Sequence, residues 1–361
     1  MTQLAAQVCE PKDTVYLDYF ALFLRRCQFT KGFASATPDL MALVQSHVSL
    51  RKVAMAIGAL DASRRSSVRS LHGRNSPQHA ALTLYGESIR ALRTRLSMTP
   101  SLGSEDILWS TFLMGLFELM TETLGERWAQ HMRSGSSRIL QLAGPTESLS
   151  PLRRPFFDAF RIMEASRAIL YGDGTFLSQD EWLYYDSNPT TGKQGKTDAL
   201  HSILTLVIQT SSFSKIFFEV LDRLPENERS GDPAIDALAR QGIQIQDTIR
   251  SWHDTNAPLL DYSDVYDRLA VANYHALELF HCKNYTYASC WNGKLVPSLG
   301  QSEINAHVAS ILSSSENIIA SAIIPGVLLL FPLRMAGANA FDTQQRTKTG
   351  SNLMCKICGS F

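Results

Sequence analysis

The sequence predicts an all-α protein, a multi-helical domain built from antiparallel helix pairs. Apolar residues recur at three- and four-residue intervals over most of the chain, a spacing that gathers them on one face of a helix with about 3.6 residues per turn. Residues suited to helix starts and stops stand at the ends of these stretches. No convincing train of alternating apolar and polar residues marks strands. With 45% hydrophobic and 19% charged residues over 361 positions, the chain is rich enough in apolar side chains to bury a large core.

Leu17, Phe20, Ala21, Leu24 and Cys27 predict a first helix, interrupted near Gly32. A second runs from Asp39 through Met41, Leu43, Val44 and His47 toward Leu60. Thr37 suits its cap, and Pro38 the first helical position, where a missing N–H is harmless. Leu84, Tyr85, Ser88, Ile89, Leu92 and Leu96 form the stripe of a third, ending before Pro100. Ser104 then starts a helix, because its hydroxyl suits an N-cap and Glu105 and Asp106 bring negative charge to the positive end of the helix dipole. Ile107, Leu108, Phe112, Leu113, Leu116, Phe117 and Met120 give that helix a face that must be buried. Gly125 interrupts the pattern, Trp128, Met132, Ile139 and Leu140 resume it, and Gly144 with Pro145 stops it. The stretch from Ser104 to Pro145 therefore predicts an αα-hairpin.

After Pro155, the residues Phe156, Phe160, Met163, Ile169 and Leu170 predict a helix closed by Gly172 and Gly174. A polar stretch over 186–198, with Pro189, Gly192 and Gly195, reads as a loop. Helices are expected over Leu200–Leu224, Pro233–Trp252, Tyr262–Tyr287 and Glu303–Ile324. The apolar run Ile323–Leu333 is only about half the roughly 20 residues needed to span a bilayer, and Pro325, Gly326 and Pro332 break it. It reads as core, and no membrane association is expected. The chain divides on this reading into a tail at 1–14, one helical domain over 15–353 and a tail at 354–361.

Chemistry-bearing constellations are few. Cys355 and Cys358 have zinc-like spacing, but no neighbouring Cys or His completes a tetrahedral set. His281 and Cys282 are adjacent, which on a helix points them about 100° apart, so a structural role is expected. No nucleophile elbow, metalloprotease motif, phosphate loop or dinucleotide fingerprint is present. The expectation is no catalytic, cofactor-binding or metal-binding residues. Glu118 on the first hairpin helix and His131 on the second are expected to approach and satisfy one another, since a buried charge without a partner is costly.

A basic segment over 62–77 carries Arg64, Arg65, Arg69, His72 and Arg74 with five serines and no carboxylate. One reading makes it a phosphate-contacting, nuclear-targeting or phosphorylated loop; the other makes it a solvated connection between helices. Lys plus Arg and Asp plus Glu both total 34, and this zero formal charge argues against tight nucleic-acid binding by the whole surface.

Glu118, Trp128, His131, Gly135 and the run from Ile139 to Pro145 together resemble the regulatory domain of fungal zinc-binuclear-cluster transcription factors. Val53 to Leu60 is similar to that family's small-residue helix, and Tyr85 to Leu92 to the helix before the hairpin. Thr175 to Ser178 with Trp182, and Phe331 to Leu333 with Gly337 and Arg346, resemble later segments. Members usually carry a DNA-reading module of closely spaced zinc-binding cysteines. Here Cys9, Cys27, Cys282, Cys290, Cys355 and Cys358 are too dispersed to make it. The resemblance implies a nuclear fungal transcription regulator of a metabolic or biosynthetic gene set, binding rather than catalysing. It implies protein partners, a DNA-binding regulator or a second copy of the chain, and room for a small-molecule effector. Direct DNA binding is not expected of this chain. The alternative is a metabolite-binding or recruited pathway protein on the same helical scaffold.

Overall fold

A computed structural model describes residues 11–64, 76–98, 103–122, 125–145, 150–183, 198–321 and 325–341. All regular structure among them is helical, with no strand. The described residues fall into two compact units, and the division lies inside one helix, between Phe157 and Asp158.

The first unit contains α1 (Pro11–Arg26), α2 (Thr37–Ser46), α3 (Val48–Arg64), α4 (Pro77–Met98), α5 (Glu105–Thr121), α6 (Glu126–His131), α7 (Ser137–Ala143) and the start of α8 (Arg153–Tyr171). Helix α3 is central and packs against α1, α2, α4 and α5. Its run from Val53 to Ala59 is almost completely buried on every side, as expected of a helix apolar all round rather than amphipathic. The crossing with α1 is a backbone contact: a Cβ on Gly58 would stand 1.9 Å from the Tyr16 carbonyl oxygen. Phe29, Phe33, Trp109, Phe112 and Phe156 continue the core as a chain of tilted and edge-on rings, the arrangement that aromatic quadrupoles favour.

The expected single helix from Asp39 to Leu60 is two helices. His47 is extended, with φ −125° and ψ 120°, and its Nδ1 lies 3.3 Å from Asp106 of α5. Thr37 is already helical, because the chain arrives from a 3-10 turn at Phe33–Ala36, and Ala36 takes the cap position. The hairpin is present: α5 follows an extended Ser104, and Gly125 starts the returning helix in the left-handed region, with φ 75°.

The second unit contains the rest of α8, then α9 (Asp180–Leu183), α10 (Ala199–Arg223), α11 (Glu226–Arg229), α12 (Pro233–Asn256), α13 (Val265–Lys283), α14 (Gln301–Ser321) and α15 (Leu330–Asn339). Helix α13 is its centre, packed against α10, α12, α14 and α15. Three helices begin at aspartate caps: Asp198, Asp232 and Asp264 each accept from a backbone N–H two residues on, at 3.0, 2.7 and 2.8 Å. Each such cap contributes about 1 kcal/mol. The Asp264 cap also explains why α13 starts at Val265 rather than at Tyr262. At its far end α13 gives way at Asn284 to a 3-10 turn. Phe217 stacks on Trp291 at 5.1 Å and meets Tyr285 edge-on at 5.0 Å. Gly242 makes the space for that tyrosine, since a Cβ there would lie 1.8 Å from its hydroxyl.

Val327, Leu328, Leu329, Phe331 and Leu333 are buried, so the apolar run before α15 is core. Helix α10 is long and apolar enough to cross a membrane by length and composition, and half of the apolar stretch is buried inside the protein. Buried Arg167 of α8 holds Glu164 through two hydrogen bonds of 2.8 Å and the Gly174 carbonyl at 2.9 Å. It also reaches Asp173 at 2.5 and 2.7 Å. Cys27, Cys282 and Cys290 are buried free thiols, and burial pushes Cys27 and Cys282 up to about 12. Cys9, Cys355, Cys358 and the predicted loop as far as Thr197 lie outside the described residues.

Candidate functional site

The candidate site lies in the first unit, where α3, α4 and the hairpin meet. The returning arm of the hairpin is α6, a π-helical segment at Met132–Ser136 and α7, running on without a break in helical dihedrals at His131 and Ser136. Trp128, Met132, Ser136 and Leu140 are each about 1% exposed. In an α-helix a four-residue step overshoots a full turn by about 40°, so four such residues drift off one face. The wider π turn takes up that drift and keeps all four against the core.

His131 sits at the start of this segment. Its Nε2 lies 2.8 Å from the Thr111 carbonyl oxygen of α5, so that nitrogen carries the hydrogen and donates. Its Nδ1 faces Glu118 Oε2 at 3.4 Å. Gly115 makes room for the ring, since a Cβ there would come within 3.0 Å of His131 Cδ2. The other Glu118 oxygen accepts from the Tyr85 hydroxyl of α4, and the Tyr85 ring stacks on Phe117 at 4.5 Å and 13°. Burial, followed by the hydrogen bond to Glu118, raises the Tyr85 phenol far above its ordinary value, so it stays a donor. Tyr85, Glu118, His131 and the Thr111 carbonyl thus form one polar seam through three elements. At the other end of α5, Asp106 accepts from Arg95 at 2.9 Å. Burial pushes its carboxyl up, but the bond from Arg95 and the charges of His47 and Arg95 outweigh that and hold it below the ordinary range.

Arg64 is the last residue of α3 rather than part of a loop, and its guanidinium donates to the Met120 carbonyl at 2.5 Å. It thereby satisfies an orphan carbonyl at the end of α5. Arg65, Arg69 and Arg74 lie outside the described residues. Beside Arg64 opens a pocket of about 460 Å³, reached by Phe117, Met120 and Thr121 of α5 and by Gln78 and Leu82 of α4. The hydroxyl of Thr121 is committed to the Phe117 carbonyl at 3.0 Å. The pocket offers one permanent cation, one amide, the Ser63 hydroxyl, which donates to the Leu60 carbonyl at 2.7 Å, and an apolar floor, a lining that suits binding. Among the described residues no group of three or more His, Cys, Asp or Glu is arranged to hold a metal ion.

The structure therefore brings Glu118 and His131 together and adds Tyr85, Thr111 and Gly115, which sequence reasoning did not assign to the site. The signal for Tyr85 was its place on the buried stripe of α4, where an isolated hydroxyl needs an acceptor. His281 donates from Nε2 to the Gly242 carbonyl at 2.8 Å, a bond between α13 and α12 far from any metal-like arrangement.

Compared with known families, the chain matches the one described as fungal specific transcription factor domain over residues 31–353. An uncharacterized protein of Emericella nidulans is 26% identical over 124 residues, which cover 34% of this chain and 26% of that protein. The match spans about a quarter of that curated relative's length. No solved structure matches.

Proposed function

The chain belongs to the fungal specific transcription factor domain family, and from that premise we propose that it regulates a metabolic or biosynthetic gene set through effector or partner binding, without bond-breaking chemistry of its own. The observation that carries the reading is the family match, which runs through both units from residue 31 to residue 353. The pocket beside Arg64 supports it, because an occupant there touches Phe117 and Met120, the neighbours of Glu118 on α5. Such an occupant acts on the seam only through different affinity for two arrangements of the hairpin. In this reading the protein works in the nucleus and either reaches DNA through a DNA-binding regulator that carries the reader or competes for such a partner; a second copy of the chain is a further partner.

Deleting the gene and comparing transcripts, with a tagged copy followed by microscopy, tests the proposal. A coherent set of changed transcripts and nuclear signal are expected. An unchanged transcript profile, or conversion of a pathway intermediate by the purified protein, overturns it in favour of a recruited pathway protein.

A further inference from the structure

A groove of about 600 Å³ lies in the second unit, apart from the site described above. One wall is a face of α13, where Arg268, Val271 and His275 are spaced three and four residues apart; the other is a face of α14, where Ser310, Ser313, Ser314 and Asn317 repeat likewise. His253, at the end of α12, and Tyr262 close one end.

The chemistry of the lining is one-sided. Arg268 is the permanent cation, and its Nε donates to the Tyr262 carbonyl, which fixes the guanidinium and leaves its amino groups without a carboxylate among the described residues. No aspartate or glutamate lines the groove. The serine hydroxyls and the two imidazoles add further hydrogen-bonding groups. His275 Nδ1 lies 2.8 Å from His307 Nδ1 of α14, so one ring donates to the other and the wall is rigid there. His253 stacks on Tyr274 at 4.5 Å and 20°, which holds the second imidazole. Burial, followed by the charges of His307 and His253, pushes His275 down to about 3, so it is a neutral hydrogen-bonding group at working pH. Val271, Ala309 and the Tyr262 ring supply the apolar surface.

We infer that this groove is a binding site for a small organic carboxylate with a flat or short apolar body, its carboxylate on Arg268 and its body against Val271 and Ala309. A guanidinium and a carboxylate match in shape as well as charge, which strengthens their paired hydrogen bonds. One guanidinium balances one negative charge. A phosphate dianion or a nucleic-acid backbone needs a second cation that the lining lacks. The volume falls within the range of small-molecule sites, roughly 300–1,000 Å³. As the place where an effector is sensed, the groove rests on the regulator reading; the binding itself does not.

The test titrates the purified full chain with benzoate, with its neutral counterpart benzamide and with inorganic phosphate, followed by ligand-observed NMR and calorimetry. Benzoate is expected to bind at least about tenfold more tightly than either control, since benzamide lacks the charge and phosphate lacks the apolar body. Arg268→Gln is expected to weaken benzoate about tenfold or more and to leave benzamide unchanged. Ser313→Trp, at an exposed position on the opposite wall, fills the groove without touching a charge and is expected to abolish binding with unchanged circular dichroism. Equal binding of benzoate and benzamide overturns the proposal, as does phosphate binding as tightly as benzoate or full benzoate affinity in Ser313→Trp. Failure of this titration leaves the gene-deletion outcome untouched, so the two readings fail separately.

Discussion

Arg167 and Glu278 are buried charged residues of the second unit with opposite fates. Arg167 is 2% exposed and meets two carboxylates and a carbonyl. Its removal leaves Glu164, itself 1% exposed, without compensation. Arg167→Ala is therefore expected to destabilise the protein by about 3–5 kcal/mol, read as a fall in thermal midpoint and in resistance to urea. Glu278 of α13 is 1% exposed, and neither of its oxygens accepts a hydrogen bond among the described residues. Arg250 Nε stands 3.8 Å away on a half-exposed side chain. Burial pushes Glu278 from 4.5 up to about 7, against the opposing charge of Arg250. The folded state thus holds this proton more tightly than the unfolded chain, so the stabilisation is fully present below about 4.5 and is lost as pH rises through about 7. His275 and His281 run the other way: burial lowers them from 6.5 to about 3 and about 4, so their contribution is present above 6.5 and is lost as pH falls toward those values. Two histidines gaining stability up to 6.5 outweigh one carboxyl losing it between 4.5 and 7, so thermal midpoints are expected to rise with pH to about 6.5 and to level off by about 7. Glu278→Gln, which removes the charge at similar volume, is expected to steepen the rise between 4.5 and 7 and to add about 2 kcal/mol above 7. An unaltered slope between 4.5 and 7 in that variant contradicts the assignment.

At the scale of elements, the hairpin depends on how closely its arms approach. His131 reaches the α5 backbone only because Gly115 has no side chain. Gly115→Ala is expected to push the imidazole off the Thr111 carbonyl and to destabilise the first unit by about 1–3 kcal/mol, despite alanine being the better helix former. Loss of the His131 ring-proton coupling to Thr111 in NMR spectra checks the cause. The arms of this hairpin were legible because Ser104, Gly125 and Gly144 punctuate a strong apolar repeat. The π segment was not, since it widens the helix without leaving the apolar pattern. Nor was the break at His47, where no Gly or Pro stands in the sequence and a contact with Asp106 from a distant helix decides the backbone. Asp264 was a readable cap that helix periodicity alone placed too late.

Across the whole molecule, helical periodicity was enough for the all-α architecture, because apolar spacing reports burial directly. The approach of Glu118 and His131 was legible for the same reason: both stand beside the buried faces of the two hairpin arms. Tyr85 was harder to assign, because its bond to Glu118 joins residues 33 positions apart on helices that no short motif connects. The groove histidines His253 and His275, and His307, which bonds to the latter, were invisible for the same reason, as they come from three helices and share no spacing. The crossing at Gly58 carries a practical lesson. The family match starts at residue 31, yet Pro11–Arg26 presses its main chain onto the central helix with no room for even a methyl group. An expression fragment cut at the family boundary would strip that layer, baring the notch and the faces that Phe20, Phe23 and Leu24 cover. Such a fragment is expected to aggregate, whereas one that keeps residue 11 onward is expected to stay monodisperse in size-exclusion chromatography.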